Sequence, residues 1–477
     1  MHGQVMGVWF GPRATLAEVR DVDTGELIAA GHAQHAEFGP PADALTWWRS
    51  VSTAMARTGI GTVDALSVAG GHPGLVLVDG AGAVLRPMQP WGATSGTAER
   101  LRQALGAERW ARRAGLVPEA DSTVTRLAWL RRAEPASFAR IGLVLAPHEW
   151  LTYRLSGRPV TDQGSASQSG LWSPHTGRWI PDVLELLAPH DTATWARRLP
   201  QVVGATERAD WLAAPVFEML GLHSRPLVAP GTGEAMAVSL ALGLGVGQAG
   251  IGLTEHTTAL LPVATPIVDA SGVVRSRAGA DDGHLAVTWE PGGATLLSTV
   301  ADLLDLPPAE LGHLARSAAA PDPSVVIVPG SDPDHRAVLT GLGHRSTRGA
   351  VARAAFDGIA CAAASALDEL AGAGAAWHDD EPLHLTGPAP FLEVQGRLLA
   401  DVVGRPVVLS PGSLAAAGAA IQAAAVLHET DPTDVAAAWA MGDGTWVDPR
   451  PDASVDDRRA AYAAARARHD QGSLIDD

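Results

Sequence analysis

Pro230-Gly231-Thr232-Gly233-Glu234-Ala235, followed by an Ala/Leu run and by Gly243-Leu244-Gly245, is the stretch on which the reading of this chain turns. A glycine-rich turn presents one carboxylate and leads straight into an apolar helix. The backbone N–H groups and dipole at a helix N-terminus stabilise an anion placed there. Glu234 therefore reads as an acid at the mouth of a cleft, able to take a proton from a substrate hydroxyl. It also reads, more plainly, as a helix-capping acid kept for folding.

Strand and helix signals alternate on both sides of this stretch. Ala14 to Ala30 reads as a β-hairpin turning at Asp23-Thr24-Gly25. Residues 62–80 give a strand, a glycine turn at Gly70-Gly71, and a second strand from Leu75 to Val78. From Thr97 to about Arg132, Leu, Ala and Trp recur at helical spacing. A second series starts at Leu227 and runs to a helical, Arg- and Asp-rich C-terminus, with its strongest loop signal at Pro329-Gly330-Ser331-Asp332-Pro333-Asp334. No short-period repeat is visible, which argues against a solenoid or propeller. Two α/β halves, residues 1–228 and 229–477, are the expected organisation.

Composition narrows the function classes. A formal net charge of −17 argues against nucleic acid and against anionic membrane surfaces as partners. No uninterrupted apolar stretch reads as long enough to span a bilayer, and no secretory leader is apparent. The single cysteine, Cys361, cannot form an internal disulfide and sits in an Ala-rich segment, so a buried small residue in a cytoplasmic protein is expected. The chain has neither Lys nor Asn, which excludes Lys-based catalysis and Asn ligands. His32-Ala-Gln-His35 lacks a flanking acid on a helix and is not read as a metal site. Trp47 and Trp48 read as packing residues.

Several segments, in order and over nearly the whole chain, resemble the FGGY carbohydrate kinases and, within them, the xylulokinases. Leu143 to Gly157, then Val160-Thr161-Asp162 and Ser165-Ala166-Ser167, is similar to the family's N-domain signature. Gly231-Thr232-Gly233-Glu234 looks like the start of the second domain, and Phe356-Asp357-Gly358-Ile359-Ala360 like its core helix. Leu399 to Val407 and Ala415 to Ala420 look like its last strand and helix. The resemblance implies an α/β fold of two actin/hexokinase-like (ribonuclease H-like) domains flanking a cleft. It implies a sugar on the N-terminal side, Mg·ATP on the C-terminal side, and ATP-dependent phosphorylation of a ketopentose or polyol.

The motif positions depart from the family pattern. Where the family has Asp-x-Gly-Thr-Ser, this chain has Trp9-Phe10-Gly11-Pro12-Arg13; Trp9 cannot ligate a metal and Pro12 removes a backbone donor. The second phosphate loop, Gly-Thr-Ser in the family, reads Thr254-Glu255-His256, with a carboxylate where phosphate oxygens would lie. The adenosine-side turn reads Gly387-Pro388-Ala389-Pro390. On the sugar side, Gly71-His72-Pro73-Gly74 and Trp91-Gly92-Ala93-Thr94-Ser95 replace the polar residues that would pair with hydroxyls. Each hydroxyl left unpaired in a desolvated site costs about 1–3 kcal/mol. The base itself changes from Asp to Glu234.

Two function classes follow. One is a pseudokinase, in which the scaffold senses a small sugar-like molecule or pairs with another copy or an active paralogue. The other is a kinase working through Glu234 with a rebuilt nucleotide site. The broken motifs favour the first. They also suggest that Arg13 and Glu255 meet as an ion pair across the empty phosphate position, the alternative being two unrelated surface charges.

Overall fold

The computed structural model describes residues 3–38, 43–70, 74–87, 94–189, 191–318, 324–330, 336–412, 414–451 and 454–473. The chain divides into two compact units, neither continuous in sequence. Residues 1–243, 262–286 and 414–441 form the first; residues 244–261, 287–413 and 442–477 form the second.

The first unit is built on β1 (Gln4–Phe10), β2 (Ala14–Asp21), β3 (Leu27–Gln34) and β4 (Ala65–Gly70). The sheet order is Asp210–Trp211, Leu227–Val228, β4, β1, β2, β3. β1 runs antiparallel to β2 and parallel to β4, and the hairpin read from the sequence is the β2–β3 pair. Gly25, at φ +71°, supplies the left-handed residue that its turn requires. Along the other edge of β4, Leu227–Val228 and then Thr232–Gly233 run parallel to it.

β1 is apolar on both faces because both are covered. Met6, Val8 and Phe10 enter a core with Trp47, Val51 and Leu66, beneath α1 (Ala44–Arg57). On the opposite face lies the helix Leu414–His428, and here space is the limiting quantity. A Cβ on Gly7 would stand 1.8 Å from the carbonyl oxygen of Ala416, and one on Gly418 would stand 1.9 Å from that of Ala237. Inside this packing Ser67 Oγ donates to Gln422 Oε1 at 2.6 Å, and Gln422 Nε2 donates to the Gly231 carbonyl at 3.3 Å.

The helical stretch from 97 to 132 is three helices, Ser95–Leu105, Ala107–Ala114 and Thr123–Ala133. Gly106 and Gly115, at φ +83° and +67°, end the first two. They pack through Trp110 and Leu127 against a small sheet in which Val76–Asp79 pairs with Ile141–Leu145.

In the second unit the strands follow the order Thr257–Val263, Ala249–Leu253, Leu383–Gly387, Val407–Pro411, Thr445–Val447. The middle three are parallel and the outer two antiparallel to their neighbours. Helix Arg348–Gly372 fills the centre of this unit. It is the one helix among the described residues long and apolar enough to cross a membrane, and 67% of that span is buried inside the protein. It is a core helix, and Asp357 interrupts its apolar run, in keeping with the expectation of no uninterrupted apolar span. Gly358 lets it touch Val326–Val328, since a Cβ there would lie 2.2 Å from the Ile327 carbonyl oxygen. Cys361 is buried as expected, beside Tyr462 and Ala465 of helix Val455–Ser473, and burial pushes its thiol up to about 12.

Gly7→Ala and Gly418→Ala are each expected to lower stability by about 1–3 kcal/mol, because the added methyl meets backbone that cannot move aside. Gly80→Ala, where a Cβ would meet open space, should stay within about 0.5 kcal/mol of the parent. Urea unfolding midpoints of the three variants check this.

Candidate active site

Three strands of the first unit end in one layer. Phe10 of β1 and Gly233 are both in register with Gly70 of β4, from opposite edges. The β1–β2 turn and the chain entering helix Glu234–Ala241 therefore leave the sheet at the same end, about two strand spacings or roughly 10 Å apart. Glu234 is the first residue of that helix, half-buried, with Gly233 as its N-cap. Gly231, at φ +81°, makes the approach possible; a side chain there would also strike the Val68 carbonyl at 2.7 Å. The carboxylate thus stands where the sequence places it, at a helix N-terminus.

Beneath Glu234 lies a polar network that sequence reading missed. Asp162 caps the short helix Gln163–Gln168, accepting from Ser165 N at 2.7 Å through Oδ1. Its Oδ2 accepts from Thr232 Oγ1 at 2.6 Å, two residues before Glu234. His148 Nε2 and Ser165 Oγ are 2.8 Å apart, and the His148 ring fills the space left by Gly70, where a Cβ would lie 2.5 Å from Nδ1. Next to His148, Glu149 accepts from Thr161 Oγ1 at 2.5 Å and from Ala146 N at 2.6 Å. Burial dominates their protonation: it drives His148 down to about 4, Glu149 up to about 7 and Asp162 up to about 6. The sequence reading places these residues in segments similar to family signatures but gives no sign of the contacts among them.

At the β1–β2 turn the indole of Trp9 lies over Gly11, so close that a Cβ on Gly11 would stand 2.4 Å from Cη2. The Gly11 N–H is taken by the Ala14 carbonyl at 3.0 Å, and Pro12 has none to give. Arg13 is exposed, and its carbonyl accepts from His35 N at 2.8 Å. His35 stacks on Phe10 with centroids 5.0 Å apart, so its role is packing.

In the second unit, Thr254-Glu255-His256 forms the turn between Ala249–Leu253 and Thr257–Val263. Gly293 N donates to the Glu255 carbonyl at 3.0 Å and Ala294 N to that of Thr254 at 2.8 Å. The amides of the N-cap Gly293 and of the first residue of helix Ala294–Leu303 are thereby spent on the turn. The His256 ring lies 5.0 Å from that of Trp289. Gly387 ends its strand at the same end of the sheet, since Gly252 pairs with Thr386. Pro388 then caps helix Ala389–Val403, and Pro390 is its second residue. Of the positions 388–390 only Ala389 carries an N–H. His72, Trp91, Gly92 and Ala93, expected on the sugar side, lie outside the described residues.

Comparison with known proteins places this architecture. The family model for the N-terminal domain of the FGGY carbohydrate kinases matches residues 27–241, and that for the C-terminal domain matches residues 288–427. The chain belongs to the FGGY family of carbohydrate kinases, with the two-domain actin/hexokinase-like α/β fold that the sequence motifs implied. Within it the similarity is to xylulose kinases. The Streptomyces coelicolor xylulose kinase is 34% identical over 462 residues, covering 93% of this chain and 92% of that protein. The Streptomyces rubiginosus xylulose kinase is 33% identical over 456 residues, covering 92% and 91%. The crystal structure of xylulose kinase from Bifidobacterium adolescentis superimposes with a TM-score of 0.76 at 25% identity, covering 98% of this chain and 99% of that one.

The Mg·ATP that this family implies is a poor fit to the residues present. A triphosphate needs open backbone donors and positive or metal-bound surroundings. The β1–β2 turn offers an indole over Gly11, a spent amide and a proline. In the second unit the Thr254–His256 turn carries a carboxylate, and the Gly293 and Ala294 amides next to it are already bonded.

The buried network sets a pH dependence. Glu149 holds its proton up to about 7 when folded, against 4.5 for a free side chain, so its contribution is complete below about pH 4.5 and is lost as pH rises through about 7. Asp162 acts in the same sense up to about 6. His148, kept neutral down to about 4, acts oppositely: its contribution is present above about pH 6.5 and lost as pH falls through about 4. The two acids outweigh the one histidine, so stability should fall between about pH 5 and pH 7. Glu149→Gln should flatten that fall, since Asp162 and His148 then nearly cancel. Urea unfolding across this range tests it; an unchanged slope in the variant would remove Glu149 from the account.

Proposed function

We propose that this chain is an FGGY-fold protein that binds a small sugar-like molecule and transfers phosphate poorly or not at all. The observation that carries the reading is Trp9 lying over Gly11 in the β1–β2 turn. An indole there fills the space against Gly11, and Trp9 carries no oxygen with which to ligate a metal. Pro12 and the Glu255 turn support the same conclusion from independent segments. Phosphoryl transfer depends mostly on positioning and electrostatics, so losing these elements together removes most of the catalytic advantage. In this reading the scaffold acts as a sensor of its ligand, or as a partner for a second copy or an active paralogue.

A second reading keeps phosphotransfer, with Glu234 as general base. It is favoured by the position of that carboxylate at a helix N-terminus and by the 34% identity to a xylulose kinase.

Titration calorimetry with millimolar Mg·ATP should give little heat. An ADP-release assay with D-xylulose should run at least about a thousandfold below an active xylulose kinase assayed beside it, since removing one positioned donor alone costs about 10²–10³ in kcat. Micromolar ATP affinity together with turnover would overturn the proposal. Glu234→Gln should then abolish that turnover while leaving sugar binding nearly intact.

A further inference from the structure

The short helix Gln163–Gln168 is fastened to the Glu234 turn at both of its ends. At its start, the N-cap Asp162 accepts from Thr232 Oγ1 at 2.6 Å. At its end, Gln168 lies against the helix that Glu234 opens. Gln168 Nε2 donates to Met236 Sδ at 3.6 Å, and a Cβ on Gly233 would stand 1.9 Å from the same nitrogen. Gly233 is the N-cap of helix Glu234–Ala241 and Met236 its third residue. The amide therefore touches the residue before Glu234 and the one two places after it. A side chain at 233 would push it away, so the contact depends on that glycine.

The end of the short helix is held from behind as well. Arg277 Nη1 donates to the Ser167 carbonyl at 2.6 Å, and Ala278 N donates to Ser167 Oγ at 3.1 Å. Ser167 Oγ in turn donates to the Gly164 carbonyl at 2.6 Å. Gln168 is nevertheless exposed. Among the described residues its Oε1 has no hydrogen-bond partner, and the sulfur is a weak acceptor for its nitrogen. An amide packed in this way has less rotamer freedom to lose on binding than a solvated surface glutamine.

We propose that Gln168 is a ligand-contacting residue of the small-molecule site, its Oε1 accepting from a sugar hydroxyl close to the one that meets Glu234. Two acceptors side by side, an amide oxygen and a carboxylate, suit a molecule with two neighbouring hydroxyl donors. The carboxylate would repel an acidic sugar, so the ligand is a neutral polyol or ketose. The proposal rests on the reading of this protein as a binder of sugar-like molecules, and it names a residue that does the recognising.

Titration calorimetry on the full chain tests it with D-xylulose, xylitol and the monodeoxy analogues of D-xylulose. Gln168→Met keeps an unbranched side chain against Gly233 and removes the amide; circular dichroism confirms that it folds. It should weaken D-xylulose about five- to tenfold, as expected for one lost hydrogen bond. One monodeoxy analogue should bind the wild type weaker than D-xylulose by a similar factor and show no further loss with Gln168→Met, because the hydroxyl and the amide form one contact. A merely structural role for Gln168 would weaken D-xylulose and every analogue alike. That uniform loss, an unchanged D-xylulose affinity in Gln168→Met, or a wild type that binds every analogue as tightly as D-xylulose overturns the proposal and leaves sugar binding standing. If the wild type binds neither D-xylulose nor xylitol, the sugar-binding reading falls, and this proposal falls with it.

Discussion

The parallel register of β1, β4 and Thr232–Gly233 is the constraint from which the first unit's site follows. Because Phe10, Gly70 and Gly233 occupy one layer, three loops far apart in sequence leave the sheet together. Parallel strands characteristically gather chemistry at their carboxyl ends, where no strand continues to fill the space. The fold keeps this arrangement with small residues. Gly70 makes room for the His148 ring and Gly231 for a left-handed bend, so a substitution at either would disturb the site without touching any charged group.

In the proposed reading, what the turns of each unit lack is mainly open backbone. Exposed N–H groups are what bind a polyanion, and at these turns they are few for two reasons. Prolines at 12, 388 and 390 delete donors outright. Elsewhere donors are present but already bonded, as Gly11 is to Ala14 and Gly293 to Glu255. Of the polar side chains near the Glu234 turn, Thr232 bonds to Asp162 and His148 to Ser165, whose amide Asp162 accepts.

The fold was largely legible because its signals are local: apolar strands, glycine turns, and helices that begin at an Asp, Thr or Pro. The position of Glu234 was legible for the same reason. The network beneath it was not, since Asp162 and Thr232 are separated by 70 positions and each has an ordinary local role. The helix Leu414–His428 gave no sign of its home. Buried nearly all round, it carries no polar face from which an orientation could be read.

That helix has a consequence for the order in which the protein forms. The face of β1 and β4 that it covers belongs to strands completed by residue 70, yet its own residues are translated more than 340 positions later. At a synthesis rate of about 5–20 residues per second, the uncovered sheet waits for tens of seconds with an apolar face open to solvent. The first unit therefore cannot finish folding as a nascent domain. Its last layer arrives only after most of the second unit has emerged.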